Sequence, residues 1–125
     1  ESWLERFQYR EAGPQLLLQA FLQRIINGGG HIDREYGLGR MRTDLYIRWP
    51  QSGEQRVVIE CKLKHGNALE TVIQKGLEQT AEYVDSTGAQ QAHLVIFDRD
   101  NSSWEEKVFR EEREYNGKAI TVWGM

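Results

Sequence analysis

Apolar and polar positions alternate most regularly between residues 40 and 63. Arg40 to Trp49 reads as one β-strand and Gln55 to Leu63 as a second, joined by Pro50-Gln51-Ser52-Gly53-Glu54, a loop of hairpin length and composition. Side chains alternate between the two faces of a strand, so residue parity assigns facing. Met41, Leu45, Ile47 and Trp49 then share a face with Val57, Ile59, Cys61 and Leu63, and this nearly pure apolar face is expected to be the core side. The opposite face carries Arg42, Asp44, Tyr46 and Arg48 on the first strand, with Arg56, Val58, Glu60 and Lys62 on the second. A turn symmetric about Ser52 sets Trp49 beside Gln55, Asp44 opposite Glu60 and Arg42 opposite Lys62. A slip of one residue would turn one strand's apolar set to solvent, so only slips of two compete with this register.

Helical periodicity frames the hairpin on both sides. Trp3, Leu4 and Phe7 predict a short amphipathic segment over 1–13, packed on the domain or leading from a preceding one. Pro14, favoured at a first helical position, opens a clearer helix. Leu17, Leu18, Phe21, Leu22, Ile25 and Ile26 form its apolar face, Gln15, Gln19 and Gln23 its other side, and Asn27-Gly28-Gly29-Gly30 its end. His31 to Tyr36 reads as a strand that enters the hairpin through Gly37-Leu38-Gly39. After the hairpin, a helix is predicted from Ala68 to Val84, with Leu69, Val72, Ile73, Leu77, Ala81 and Val84 inward. Gly76 within it costs about 1 kcal/mol against Ala, and its missing side chain would let the helix lie close on the sheet.

Ala92 to Phe97 is a short buried strand. Ser103-Trp104-Glu105-Glu106 has the form of a capping box, predicting a short helix through about Arg110 and then a last strand, Ala119 to Trp123. A rival assignment makes Lys107 to Tyr115 a strand, paired through the Asn116-Gly117 turn. The order is helix, three strands, helix, strand and a C-terminal helix-strand unit. It predicts an α/β domain over 14–125, with a mixed sheet flanked by helices.

Composition narrows the classes. The 125 residues suit one domain, and 39% hydrophobic with 28% charged residues mark a globular chain. No apolar run approaches the ~20 residues of a membrane span, and no signal-peptide pattern opens the chain. The lone Cys61 excludes an internal disulfide and suits a reducing cytoplasm. The first residue is Glu1, not Met, as expected of an excised domain. A net charge of −3 argues against binding nucleic acid through bulk electrostatics. The charge is uneven, however: Arg34, Arg40, Arg42, Arg48, Arg56, Lys62 and Lys64 gather around the hairpin, while Glu105, Glu106, Glu111, Glu112 and Glu114 load the C-terminal third.

Two carboxylates directly opposite each other on a sheet repel, so a cation is expected between Asp44 and Glu60. Arg42 and Lys62 would serve as plain ion pairs, each worth about 0 to 1 kcal/mol at a surface. Alternatively, Asp44 and Glu60 hold a divalent metal, with Lys62 as the charged group of a phosphate-cleaving site, since magnesium prefers carboxylate oxygen and completes its shell with water and phosphate. The aspartate-rich Asp98-Arg99-Asp100-Asn101 loop lacks the spacing of an EF-hand, and His65 reads as an exposed loop histidine.

Asp44 followed by Glu60-Cys61-Lys62 resembles the D…(D/E)xK signature of the PD-(D/E)xK nuclease superfamily. Gln79-Thr80-Ala81-Glu82-Tyr83 is similar to the QxxxY motif of its RecB-like members. The wording REYGLGRMRTDL, VVIECKL, HLVIFDR and ITVWGM resembles a nuclease-like domain found at the C-terminal end of bacterial proteins with a P-loop AAA-type ATPase domain, over roughly Pro14 to Met125. The resemblance implies an αβββαβ restriction-endonuclease-like core. It implies Mg2+ or Mn2+ held by Asp44, Glu60 and the backbone carbonyl of Cys61, and Lys62 positioning a water or neutralising the attacked phosphate. Gln79 and Tyr83 would support the site or contact the substrate, which would be nucleic acid, in the first instance DNA. Arg40, Arg42 and Lys64 are the expected nucleic-acid contacts, and an upstream ATPase domain and oligomers are the expected partners. RecB-like members often carry a Glu on the first helix, where this chain has Gln19 or Gln15, with Glu11 before the helix. That departure, with the acidic net charge, supports a second reading: a catalytically inactive nuclease-fold module for nucleic-acid or protein interaction.

Overall fold

The computed structural model describes residue 27 and the stretches 31–36, 42–49, 55–101 and 103–124, with backbone alone for 32–36, 42–44, 49 and 104. The expected segment 1–13, the helix from Pro14, the Gly37-Leu38-Gly39 entry with Arg40 and Met41, and the turn Pro50 to Glu54 lie outside the described residues. The described chain runs β1 (His31–Tyr36), β2 (Arg42–Trp49), β3 (Gln55–Lys64), α1 (Leu69–Thr87), β4 (Gln91–Asp98), the single helical turn α2 (Trp104–Lys107), β5 (Phe109–Tyr115) and β6 (Lys118–Gly124). It is an α/β arrangement: one mixed six-stranded sheet in the order β1-β2-β3-β4-β6-β5, with α1 packed on it.

β1, β2 and β3 form an antiparallel meander, and the β2/β3 register agrees with that expected from the alternation: Trp49 pairs with Gln55, Asp44 with Glu60 and Arg42 with Lys62. α1 then carries the chain over to β4, which lies parallel to β3, and β6 lies parallel to β4 on its far side.

The sheet is buried on both faces where β3 and β4 run. Leu45, Ile47, Val57, Ile59, Cys61 and Val95 form one cluster, with Phe97 and Trp123 against it, and all are odd-numbered. The even-numbered Val58, Leu94, Ile96, Ile120 and Val122 meet Val72, Ile73, Leu77 and Tyr83 of α1 in a second cluster. The core therefore has two sides, not the one apolar side expected of the hairpin alone. Each large aliphatic side chain removed from water in this way contributes about 1.5 to 3 kcal/mol.

α1 ends three residues beyond its expected limit, closed by Gly88 at φ +71°, whose N–H donates to the Val84 carbonyl at 2.8 Å. Leu69, expected inward, is instead exposed at the first position of the helix, and Tyr83 is buried in its stead. Gly76 does allow close approach: a Cβ there would stand 2.6 Å from Leu94 Cδ1. Arg113 of β5 grips Glu70 through both terminal nitrogens at 2.8 Å, and Lys118 reaches Asp85 at 2.9 Å, so the two ends of α1 are tied to the C-terminal hairpin.

That hairpin corrects the expected C-terminal helix-strand unit. The capping contact forms, with Glu106 N–H donating to Ser103 Oγ at 3.3 Å, but the helix stops at Lys107 and Phe109–Tyr115 is a strand. One turn of helix gains too few hydrogen bonds to offset its nucleation cost. Asn116 and Gly117, both at positive φ (50° and 78°), instead form the tight two-residue turn that pairs β5 with β6.

Candidate functional site

In β3 the even positions Val58, Glu60, Lys62 and Lys64 face α1. Glu60 is fully buried, 0% exposed, and a buried carboxylate is costly unless hydrogen-bonded or matched by positive charge. Register places Asp44 beside it on β2 and Glu35 beside Asp44 on β1, so Glu35, Asp44 and Glu60 stand in one row across three strands. Glu35 is a residue that no motif of the sequence singles out. Its place in the row depends on the β1/β2 register, which no residue pattern in the intervening segment specifies.

One row further along, Lys62 Nζ donates to Gln79 Oε1 at 2.9 Å, across 17 residues of sequence. Gln79 and Tyr83 are four apart on α1 and so lie on one side of the helix. The Tyr83 ring is buried and meets the half-buried Tyr46 ring at 6.4 Å between centroids, tilted by 59°. Tyr46 lies two residues beyond Asp44 in β2. Of the two residues of the QxxxY-like motif, Gln79 reaches β3 through its hydrogen bond to Lys62, whereas Tyr83 packs on Tyr46 of the neighbouring β2. Thr80, also fully buried between them in sequence, turns its hydroxyl back to the Gly76 carbonyl at 2.7 Å. Its polar group is satisfied inside the helix and takes no part in the site.

The other expected residues divide. The Cys61 side chain is buried in the odd-numbered cluster, away from α1, in keeping with inert packing. Arg42 pairs in register with Lys62, while Arg40 lies outside the described residues. Lys64 does not project freely toward a substrate. Its ammonium binds the Asp100 carboxylate and stands 3.8 Å from Asp98 Oδ1. The hydrogen bond to Asp100, aided by the charges of Asp98 and Asp100 and opposed by burial, raises the Lys64 pKa. Asp100 is lowered in turn by Lys64 and by the Gly66 N–H.

Hard oxygen donors from Asp44 and Glu60, opposed in register, have the chemistry magnesium or manganese requires. Among the described side chains, a set that does not include Asp44, no group of three His, Cys, Asp or Glu is gathered to hold a metal ion.

Fold and site together define an α/β domain whose central strand brings a buried carboxylate and a lysine under a helix bearing glutamine and tyrosine. Compared with known proteins, the chain matches no family model, no curated protein and no solved structure.

Proposed function

We propose that this chain is a metal-dependent nuclease domain of the PD-(D/E)xK type, with the restriction-endonuclease-like αβββαβ topology, hydrolysing DNA phosphodiester bonds. The observation that carries the reading is the pairing of Asp44 with Glu60 in a row next to a Lys62 held by Gln79. A meander of three strands, a helical crossover and a parallel fourth strand support the βββαβ part of that order, the leading helix lying outside the described residues.

Asp44, Glu60 and the Cys61 carbonyl would hold Mg2+ or Mn2+, which when bound makes water more acidic and stabilises negative charge at phosphate. The chain's own contribution is positioning and electrostatics. Gln79 fixes one direction of the Lys62 ammonium, which would address a water or a phosphate oxygen. Tyr83 and Tyr46 wall the site, and burial of Glu60 strengthens each charge interaction there. An upstream ATPase domain is the partner proposed with this reading.

A second reading, an inactive nuclease fold serving as an interaction module, is favoured by the occupation of Lys64 by Asp98 and Asp100 and by the −3 net charge. Nicking of supercoiled plasmid in Mn2+ decides between them, comparing the parent with Lys62→Met and Glu60→Ala. Cleavage by the parent alone supports the nuclease. Absence of cleavage, or equal cleavage by all three, supports the module.

A further inference from the structure

The ends of β3 and β4 hold a second cluster that the proposed cleavage site does not use. The two strands are parallel, and Lys64 pairs in register with Asp98 at their C-terminal ends, the side of an open α/β sheet where ligands characteristically bind. Beyond Lys64, the loop passes through His65 and Gly66, the latter at φ +83°, a conformation that favours glycine. Three consecutive residues thereby face one carboxylate. Lys64 Nζ donates to Asp100 Oδ2, Gly66 N–H donates to Asp100 Oδ1 at 2.7 Å, and His65 Nδ1 stands 3.6 Å from the same oxygen.

We propose that Lys64, His65 and Gly66 form a binding site for a phosphate oxyanion, occupied in this structure by the protein's own Asp100. An ammonium and a backbone N–H that grip two oxygens of one carboxylate offer the same donors to two oxygens of phosphate. The donors belong to the end of a central strand and its tight loop, whereas Asp100 belongs to the connection after β4, so the ligand-like member sits on the connecting segment. Asp98 has a separate duty: its Oδ1 accepts the Asp100 N–H at 2.8 Å, and its 3.8 Å separation from Lys64 Nζ makes it the weaker partner of the lysine.

The Lys64 ammonium stands against two carboxylates, Asp98 and Asp100, so acidic groups outnumber it there. An external anion must therefore displace Asp100, which explains how a lysine at a candidate nucleic-acid face coexists with an acidic surround. Lys62 and Lys64 lie two residues apart on the same face of β3. If the phosphate comes from nucleic acid, a clause that rests on the proposed function, the two lysines address neighbouring phosphates of one strand.

The test uses the whole chain, with the Gly66 amide followed by NMR at constant ionic strength during titration with inorganic phosphate and, separately, with a short oligodeoxynucleotide. Asp100→Asn removes the competing charge while keeping an acceptor for Gly66. It is expected to bind phosphate about tenfold more tightly than the parent or better, with a saturating shift at Gly66 that is lost in the double variant Lys64→Met/Asp100→Asn. Asp100→Ser serves in the same way should the first variant fold poorly. A Gly66 shift with phosphate and none with oligonucleotide keeps the anion site and separates it from the nuclease reading; a shift with both assigns it to the nucleic-acid backbone. Absence of a phosphate-dependent shift in the Asp100 variants, or its persistence without Lys64, overturns the proposal.

Discussion

The two faces of the sheet treat polar groups in opposite ways. Under α1, Glu60 is buried outright and Lys62 reaches its glutamine across the sheet-helix interface, so charge is enclosed. On the other face, over β4, β6 and β5, Trp123 donates its indole N–H to His93 Nδ1 at 3.0 Å and lies under Arg110, whose guanidinium carbon is 5.2 Å from the ring centroid. Arg110 pairs with Glu112 at 2.9 Å, and Thr121 donates to that same carboxylate. Every partner named there comes from the sheet itself, and water reaches Arg110, Glu112 and part of Trp123. Enclosed charge is expensive without a purpose, whereas a network at the surface costs little and contributes modestly. The contrast singles out the α1 face as the place where function is expected.

The largest expected effect breaks that contrast directly. Lys62→Met should lower DNA cleavage by about two orders of magnitude or more, as loss of an electrostatic stabiliser does, while moving stability by only about 1 kcal/mol, the net worth of its hydrogen bond to Gln79. Arg110→Met on the other face should leave cleavage unchanged. Glu60→Gln sharpens the point. In metal-free buffer it should still fold, because the isostere keeps the volume of the buried side chain. It should also lose the Mn2+-dependent rise in melting temperature expected of an ion bound only by the folded state. A parent without such a rise would remove the metal from the reading.

The first four strands, the hairpin register and the long helix were legible because each depends on local periodicity: two for the strands, 3.6 for the helix. What escaped depends on contacts between distant segments. The row position of Glu35 needs the β1/β2 register, and the closure of Lys64 by Asp100 spans 36 residues and the parallel crossover. The C-terminal strand misled for a different reason. Ser103 and Glu106 do make their cap, yet the Asn116-Gly117 turn recruits Phe109 to Tyr115 into the sheet, and a six-strand ladder outweighs one helical turn.

Next in size is a test of how tightly α1 closes its face. Gly76→Val would drive a side chain into Leu94, itself fully buried and hemmed in by the core. Overpacking of this kind costs about 1 to 3 kcal/mol, and valine recovers little helix propensity because its χ1 is restricted in a helix. A drop in urea midpoint at unchanged m-value is expected. An unchanged midpoint would mean that the helix stands further from β4 than described.

A smaller effect belongs to the other face. Burial lowers the His93 pKa below 6.5, with Arg110 acting in the same direction and Glu112 against it. Nδ1 must stay unprotonated to accept the Trp123 indole N–H. The unfolded chain therefore binds the proton first on acidification. Stability is full above about pH 6.5, falls as pH drops toward the folded-state value, and levels off below it. His93→Gln should flatten that slope, and the Trp123 indole resonance should shift with pH in the parent alone.

The smallest effect concerns the tie at the first turn of α1. Glu70 is exposed, yet the two-nitrogen grip of Arg113, with a further hydrogen bond from Gln74 at 2.8 Å, lowers its pKa to about 2 from 4.5. Because the folded-state value is the lower one, the contribution is present above pH 4.5 and is lost as pH falls from there toward about 2. Solvent screens an exposed pair, so the midpoint of acid unfolding should move only slightly upward in Glu70→Gln, and 1 M salt should shrink the difference further. The tie joins α1 to β5, not to β3, so the same substitution should leave plasmid cleavage untouched. Loss of cleavage in Glu70→Gln would show instead that the enclosed face depends on this outer clasp, and the separation drawn between the two faces would fail.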